Sequence, residues 1–394
     1  MESASIRLGT IAGIPVGLSW TLLVVAGVFA LGLAEGQYPS SNPGYGTGAY
    51  WIAAVVTVGV FFASILIHEL SHAVVARRHG IPVEGITLWL LGGVARLGGE
   101  ARTPAAELRI AGVGPLSSGL LAAVFWAMSW VVAQVDLDPL VHDVLAWLAL
   151  INLILAIFNS IPAAPLDGGR LLAAVWWWRT GDRTKGLVGA AAAGRLLGGG
   201  LMAYAAWEFV YGDGVMALWT ALIGWFIWQS AQAEGQSALT RRSLAGITAV
   251  EAARPDPPVV DEWLTVDGLV ALLGDGGDHT AFVVREHDGV LRSVVSLDDI
   301  KRVPPSRRGD TRLADIAVPI AELTTAWATE PLIGVLDRIS VDGRPEIVVY
   351  DSRMCLVGVI SRADLGRLIH QATNARNAPP PPPPPPRRDV THPG

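Results

Sequence analysis

The stretch Ile67-His-Glu-Leu-Ser-His-Ala73 lies inside a long apolar run and decides how the rest of the chain is interpreted. Helical residues four apart share one face, so His68 and His72 can offer imidazole nitrogens to a single metal ion. Glu69 lies beside that face and could accept a proton from water activated by the metal. Ionisable side chains are costly within a membrane span, so these three are predicted to be functional.

The composition of the chain is typical of a membrane protein. Hydrophobic residues make up 51% of the 394 residues and charged residues 16%, against about 25% charged in soluble domains. A net charge of −6 without a dense basic cluster argues against a nucleic-acid partner. The single cysteine, Cys355, excludes an internal disulfide and a cysteine-rich metal site.

Six segments are long and apolar enough to cross a lipid bilayer, which takes about 20 helical residues. They cover approximately residues 16–34, 49–76, 108–135, 140–161, 186–211 and 215–233. The loops after the first, third and fifth segments contain no Lys or Arg, whereas the loops on the other side contain many. Because cationic loops stay in the cytoplasm, this asymmetry predicts a multi-pass cell-membrane protein with both termini cytoplasmic.

A short β-hairpin is predicted between the second and third segments. The run from Gly85 to Leu97 is rich in β-favouring apolar residues, and Gly92–Gly93 is its predicted turn. Non-helical backbone at membrane depth is tolerated only where protein or a wet cavity surrounds it. The edge of this hairpin, near Leu88–Val94, could bind an extended substrate backbone.

The chain changes character after about residue 233, where charged residues become frequent and long apolar runs end. The sequence Val294-Val-Ser-Leu-Asp-Asp-Ile300 recurs as Val359-Ile-Ser-Arg-Ala-Asp-Leu365, which predicts a repeated α/β module. The proline run after Ala378 predicts an extended tail. We therefore predict a membrane domain over 1–235, two modules over 244–305 and 306–370, and a disordered tail over 371–394.

A catalytic zinc usually has three protein ligands, and the third is open at this stage. A histidine ten residues after His68 would complete one known pattern, but Arg78 stands there. Glu100, Glu107 and Asp167 are the remaining candidates. Asp167 follows Pro162 and Pro165, which cannot continue the fourth helix, so this segment is predicted to be a broken helix that points Asp167 inward.

These motifs resemble those of the site-2 proteases of the bacterial sporulation-factor type. The resemblance covers roughly the first 235 residues, and the motifs that carry it are His68–His72, Gly92–Val94, Gly114–Pro115, Asn159, Pro162 and Pro165–Gly168. It implies that His68, His72 and Asp167 bind one zinc ion per chain, that Glu69 is the general base, and that Asn159 contacts the substrate backbone or stabilises the oxyanion. Two positions depart from the family pattern: many relatives have proline at Ser160 and asparagine near Ser118.

The repeated module resembles a tandem pair of cystathionine-β-synthase-type (CBS) domains. In that family a Ser/Thr-x-x-Asp element contacts the ribose of an adenine nucleotide. Ser296 with Asp299, and Ser361 with Asp364, match this element in the two repeats. The resemblance implies possible nucleotide binding and a homodimer formed through the CBS domains.

The predicted fold class is an α-helical polytopic membrane protein with six transmembrane helices and a short membrane-associated β-hairpin, followed by a cytoplasmic α/β tandem CBS domain. The predicted function is intramembrane zinc-dependent proteolysis. The resemblance to site-2 proteases implies that the substrates are transmembrane segments of regulatory membrane proteins, such as an anti-sigma factor or a membrane-tethered regulator. Two alternatives stay open. One is a CBS-regulated transporter, which would predict broken helices in both halves of the membrane region. The other is a zinc-binding scaffold without activity.

Overall fold

The computed structural model describes residues 5–89, 92–273, 279–342, 344 and 346–377. The predicted proline-rich tail lies outside these residues from position 378 onward. The chain forms two compact units, Met1–Leu239 and Thr240–Gly394, and each is described by itself.

Among the described residues, six helices are long and apolar enough to cross a membrane, which confirms the predicted number of spans. Their bounds are Trp20–Ser41, Thr47–Arg78, Pro104–Gln134, Pro139–Ser160, Arg183–Tyr211 and Gly214–Leu244. The first comprises α1 (Trp20–Gly32), a π-helical turn (Leu33–Gln37) and α2 (Tyr38–Ser41). The others are α3, α4, α5, α7 and α8 in chain order.

Between α5 and α7 lies a shorter helix, α6 (Asp167–Thr180), where the sequence pattern predicts only a connecting loop between two apolar segments. The start of the first span was also placed too early, because residues 14–19 form a strand and the helix begins at Trp20. Ser19 ends that strand and caps α1 by accepting a hydrogen bond from the Thr21 amide.

Polar caps followed by proline or acidic neighbours explain where the long helices begin. Thr103 caps α4 immediately before Pro104, and Asp138 caps α5 immediately before Pro139. Each cap accepts hydrogen bonds from amides that lack partners in the first turn, and proline loses nothing there because its missing N–H would be unpaired anyway.

The predicted hairpin is present, but it is one half of a four-stranded sheet. The strands are β1 (Ser5–Ile11), β2 (Ile14–Ser19), β3 (Val83–Trp89) and β4 (Gly92–Leu97), in that order across the sheet. β2 and β3 pair in parallel, and the other two pairs are antiparallel.

The turn at Gly92–Gly93 was predicted wrongly. Both glycines lie in β4, where Gly92 pairs with Trp89 and Gly93 pairs with Leu88. The connection between the strands is residues 90–91, which lie outside the described residues. The sequence pattern misled because Gly93 is needed for the close approach of β4 to Glu69, whereas Gly92 takes a positive φ of 134° at the start of β4.

A hydrophobic core fixes the sheet against the helices that carry the candidate site. Ile14 and Ile86 from the sheet are buried together with Phe61 and Ile65 of α3 and Leu148 of α5. Burial of a large aliphatic or aromatic side chain contributes about 1.5–3 kcal/mol. The sheet is therefore held firmly beside α3.

The second unit contains two four-stranded sheets of the same kind. The first has the order β6-β7-β8-β9 and the second β10-β11-β12-β5. The strand bounds are β5 (Arg254–Pro255), β6 (Val259–Asp261), β7 (Ala281–Arg285), β8 (Leu291–Ser296), β9 (Val318–Pro319), β10 (Thr324–Trp327), β11 (Ile347–Tyr350) and β12 (Leu356–Ile360). The helices are α9 (Ala249–Ala252), α10 (Val266–Leu273), α11 (Leu297–Arg302), α12 (Leu332–Asp342) and α13 (Arg362–Asn377).

The two repeats exchange their flanking strands. β5 lies near the start of the predicted first module but pairs with β12 of the second. β9 leads into the second repeat but pairs with β8 of the first. One apolar core joins both sheets, with Val283 and Val294 of the first buried beside Val348 and Val359 of the second. The repeat predicted from sequence is thus a pair of interlocked α/β modules, called the CBS pair below after the family that they resemble.

Candidate metal centre

Two helices bring three metal-ligating side chains to one point. His68 and His72 lie one turn apart on α3, and Asp167 is the first residue of α6. The Asp167 Oδ2 atom is 3.0 Å from His68 Nε2 and 3.1 Å from His72 Nε2. The two Nε2 atoms are 3.2 Å apart. Within the described ranges, this is the one group of three such side chains whose ligand atoms lie within 4.8 Å of one another.

The other ring nitrogens of the histidines are already engaged. His72 Nδ1 lies 2.6 Å from the Ile110 carbonyl oxygen, which can only accept, so Nδ1 donates and Nε2 keeps its lone pair. His68 Nδ1 lies 2.9 Å from the Ser118 hydroxyl oxygen. Hydrogen bonds of this kind fix the ring orientation and tautomer of metal-binding histidines.

The geometry of the three atoms fits a zinc ion. Lone pairs on two neutral imidazoles and a carboxylate repel one another at 3.0–3.2 Å unless a cation lies among them. Ligand atoms about 2.0–2.1 Å from zinc at tetrahedral angles lie about 3.3 Å apart. Nitrogen and carboxylate oxygen are also donors that zinc prefers, so the residues present suit this metal.

A glycine provides the space for this arrangement. A Cβ atom on Gly114 of α4 would lie 2.1 Å from His72 Nε2 and 2.7 Å from His68 Nε2. No side chain can occupy that volume without moving the imidazoles. In the sequence, Gly114 stands out only as part of a Gly-Pro pair. Its role in leaving room for the imidazoles cannot be predicted there, because it depends on contacts between α3 and α4, which are distant in the chain.

Glu69 lies against the edge of the sheet. A Cβ atom on Gly93 would lie 2.2 Å from Glu69 Cγ and 3.0 Å from Glu69 Oε1, so only glycine lets β4 approach this closely. β4 is at one edge of the four-stranded sheet. The carboxylate next to the histidines therefore faces a strand that can accept a further backbone.

The broken helix predicted before Asp167 is present. α5 ends at Ser160, α6 begins at Asp167, and the loop between them contains a cis Ala164–Pro165 peptide bond. α7 contacts this loop closely, because the Ala164 amide donates to the Ala190 carbonyl at 3.0 Å. A Cβ atom on Gly194 would lie 2.0 Å from the Ala164 carbonyl oxygen.

The two rival carboxylates are engaged elsewhere. Glu107 is 3% exposed and accepts hydrogen bonds from Arg170. Glu100 pairs with Arg183. Glu107 lies in the first turn of α4, which begins before the predicted third apolar segment. Neither carboxylate belongs to the group formed by the histidines.

The other positions predicted to contact substrate, or that depart from the family pattern, make hydrogen bonds within their own helix or to a histidine. Asn159 donates from Nδ2 to the Leu155 carbonyl at 3.0 Å, within its own helix, and its role in substrate contact stays a prediction. Ser160 likewise donates to the Ala156 carbonyl. Ser118, which departs from the family pattern, supports His68. Sequence reasoning missed this role because residues 68 and 118 meet only in the folded chain.

The two Ser–Asp elements of the CBS pair act as helix caps. Ser296 Oγ and the Ser296 amide both donate to Asp299 Oδ2, at 2.6 and 3.1 Å. Ser361 and Asp364 repeat this arrangement at 2.6 and 2.9 Å. These are reciprocal capping boxes at the starts of α11 and α13.

Comparison with known proteins defines the family. The model of peptidase family M50 matches residues 56–140 and 131–194. A relative from Mycobacterium tuberculosis, Rip3, whose name describes a zinc metalloprotease, is 40% identical over 93% of this chain and 93% of its own length. The chain belongs to peptidase family M50. This M50 protein is a zinc metalloprotease of the site-2 type, and it is a multi-pass membrane protein.

Two solved structures are similar to parts of this M50 protease. The site-2 protease from Methanocaldococcus jannaschii is 30% identical, with a TM-score of 0.39, over 59% of this chain and 95% of that chain. The CBS domain of a bacterial CNNM/CorC family Mg²⁺ transporter is 15% identical, with a TM-score of 0.28, over 34% of this chain and 83% of that chain.

Proposed function

We propose that the protein cleaves membrane-spanning segments of regulatory membrane proteins, with His68, His72 and Asp167 as its zinc ligands. The observation that carries this proposal is the convergence of the three ligand atoms within 3.0–3.2 Å of one another beside Glu69. A bound zinc ion would supply Lewis-acid activation of water and of the scissile carbonyl. The location of these groups in apolar helices favours a membrane-spanning substrate, and the resemblance to site-2 proteases implies an anti-sigma factor or a membrane-tethered regulator.

Glu69 is proposed to be the general base. It adjoins His68 in sequence and lies against β4, so a peptide bound at that edge would be near its carboxylate. Glu69 accepts a proton from the attacking water and returns it to the leaving amine. Asn159, close to the end of α5, is proposed to hydrogen-bond the substrate backbone or the developing oxyanion.

β4 is proposed to hold the substrate in an extended form. A transmembrane helix satisfies its own amides, so its peptide bonds are inaccessible until the helix unwinds. An edge strand offers amide and carbonyl groups that replace the lost helical hydrogen bonds. The contact between Gly93 and Glu69 then brings the unwound peptide to the catalytic groups.

The ligand set is tested by zinc content in purified, detergent-solubilised protein. We expect one zinc per chain in the wild type and in Glu100→Ala, and almost none in Asp167→Ala. Glu100 is the matched control because it is a nearby carboxylate that pairs with an arginine. Full zinc content in Asp167→Ala would disprove the assignment of the third ligand.

The base is tested by cleavage of a co-expressed membrane-spanning substrate. Glu69→Gln should retain zinc and lose activity by about 10²- to 10⁴-fold, the usual contribution of a general base. Persistent cleavage would show that Glu69 is not the base. Zinc binding without cleavage in the wild type, across a panel of single-span substrates, would instead support the inactive scaffold.

We also propose that an adenine nucleotide modulates the protease through the CBS pair. Of the two Ser–Asp elements, the first is favoured, because the arginines that contact the outer oxygen of Asp299, Arg302 and Arg344, have side chains that are 72% and 41% exposed. Asp364 is enclosed by Arg254 and Thr280. Titration calorimetry of the full-length protein with ATP and AMP should give heat that Asp299→Asn removes and Asp364→Asn retains.

Orientation and assembly are further parts of the proposal. The arginine-rich loops favour cytoplasmic termini, and CBS pairs favour a homodimer. The single cysteine, Cys355, is exposed and gives a direct test. An impermeant maleimide should label it in inverted vesicles and leave it unlabelled in intact cells. The domain bounds 1–235, 244–305, 306–370 and 371–394 belong to the same proposal.

A further inference from the structure

Glu107 is a buried carboxylate to which the cleavage chemistry assigns no role. Its Oε1 atom lies 2.9 Å from both Nε and Nη2 of Arg170. Its Oε2 atom lies 3.8 Å from Arg183 Nη2 and has no hydrogen-bond partner among the described residues. A charge at this depth is costly unless it is paired, so the pair must be maintained.

Arg170 connects this pair to the metal centre. It lies three residues after Asp167, and residues three apart are neighbours on one helix face. The guanidinium group binds with a planar two-nitrogen fork, which fixes direction as well as distance. The Glu107–Arg170 pair thus holds the first turn of α6, and with it Asp167, against α4.

The same face of α4 contacts both histidines. Glu107, Ile110, Gly114 and Ser118 are spaced by three, four and four residues, so they form one stripe along the helix. The Ile110 carbonyl accepts from His72, the Ser118 hydroxyl pairs with His68, and Gly114 provides the space between the imidazoles. One stripe of α4 therefore acts on all three proposed ligands, although the ligands come from α3 and α6.

We propose that Glu107, acting through Arg170, is a positioning residue for Asp167, and that this stripe of α4 aligns the three metal ligands. The inference rests on the proposed ligand set. Without the ion pair, the first turn of α6 loses its charged contact with α4. Asp167 then samples positions in which its carboxylate does not meet the two imidazole nitrogens.

Metal affinity, measured separately from activity, tests this proposal. The full-length protein in detergent is stripped of metal, and its dissociation constant for Co²⁺ is measured by competition with a chromophoric chelator. Glu107→Gln and Arg170→Gln should each raise this constant by about 10- to 100-fold, the usual effect of losing a group that orients a ligand. Arg170→Lys, which keeps the charge but not the fork, should give a smaller increase.

The double variant provides the sharper criterion. If the two side chains act as one unit, Glu107→Gln combined with Arg170→Gln should weaken Co²⁺ binding no more than either change alone. Asp182→Ala is the matched control, because Asp182 caps α7 by accepting from the Lys185 amide and its loss destabilises a helix start on a different element.

Each outcome decides the question. Co²⁺ affinities within twofold of the wild type in both single variants would overturn the positioning role. So would an equal loss in Asp182→Ala, because the effect would then follow general stability. If Glu107→Gln fails to fold, Arg170→Lys is judged by the same criterion. A wild type that binds no Co²⁺, or binds it equally well after His68→Ala, would refute the proposed ligand set instead.

Discussion

The metal centre and the two capping boxes of the CBS pair bury polar groups to a similar degree but use them in opposite ways. His68, His72, Ser296, Asp299 and Asp364 are all between 3% and 7% exposed. In the capping boxes each carboxylate receives hydrogen bonds from its own serine, from a backbone amide and from arginine. In the metal centre three electron pairs converge on one point.

This difference separates a binding site from a structural element more clearly than burial or residue type does. Buried polar groups in folded proteins normally have partners within the protein. A buried group whose donors and acceptors are matched stabilises the fold and needs nothing else. A group of acceptors that face one another requires a cation, so the membrane unit contains the stronger candidate for a ligand.

The largest effect is expected from filling the space between the imidazoles. Gly114→Ala introduces a Cβ atom 2.1 Å from His72 Nε2, so the histidines must move and metal affinity should fall by about 100-fold or more, the upper end for disturbed ligand support. Zinc content and Co²⁺ titration of the purified protein measure this.

Gly112→Ala is the matched control on the same helix. Its Cβ atom would meet only Leu171 Cδ2, at an ordinary 3.7 Å. Metal binding should be unchanged and helix propensity should improve slightly. An equal loss of metal affinity in Gly112→Ala and Gly114→Ala would mean that α4 tolerates no added side-chain volume. The effect of Gly114→Ala would then not be specific to the space between the imidazoles.

A smaller effect is expected from breaking a capping box. Asp364→Asn removes the charge that pairs with Arg254, whose side chain is 19% exposed, and should lower the stability of the C-terminal unit by about 3 kcal/mol. Asp298→Asn removes only an exposed contact to Lys301 at 3.7 Å and should cost less than about 1 kcal/mol. Pulse proteolysis of the full-length protein in urea compares them. Metal content should not change in either.

The smallest effect is a dependence of stability on pH. Burial alone would raise the pKa of Asp364, but hydrogen bonds from Ser361, Arg254 and Thr280 outweigh it and lower that pKa below its ordinary value of 3.8. Because the folded pKa lies below the unfolded one, the stabilisation is present above about pH 4 and is lost as the pH falls through the folded pKa. Asp364→Asn should flatten this dependence, and an unchanged slope would contradict the assignment.

The sequence predicted those parts of the molecule that depend on local pattern. The spacing of His68 and His72 places them on one helix face whatever surrounds them, and the prolines before Asp167 interrupt a helix wherever they occur. Six apolar runs of sufficient length likewise predict six spans. The choice of Asp167 over Glu100 and Glu107 came from resemblance, since spacing alone left all three open.

Features that join distant segments were missed for a physical reason. β2 pairs with β3 through Val16 and Ile86, and nothing in either short strand specifies the other. Ser118 and Gly114 have their roles only because α4 passes beside α3. Glycine favours turns, so the sequence pattern places Gly93 in a turn, whereas in the structure it lies in β4, where close packing against Glu69 requires it.

The exchanged strand β5 affects when the C-terminal unit can fold during synthesis. Arg254 leaves the ribosome soon after the last membrane helix, but its partner Val359 follows only after a wait of roughly 5–20 s at ordinary elongation rates. During that interval the core of the second module, to which Leu244, Ala249 and Ala252 belong, lacks Ile360. The second module therefore completes its fold only near the end of translation. A stop codon before β12 would leave β5, at the beginning of this unit, without its pairing strand.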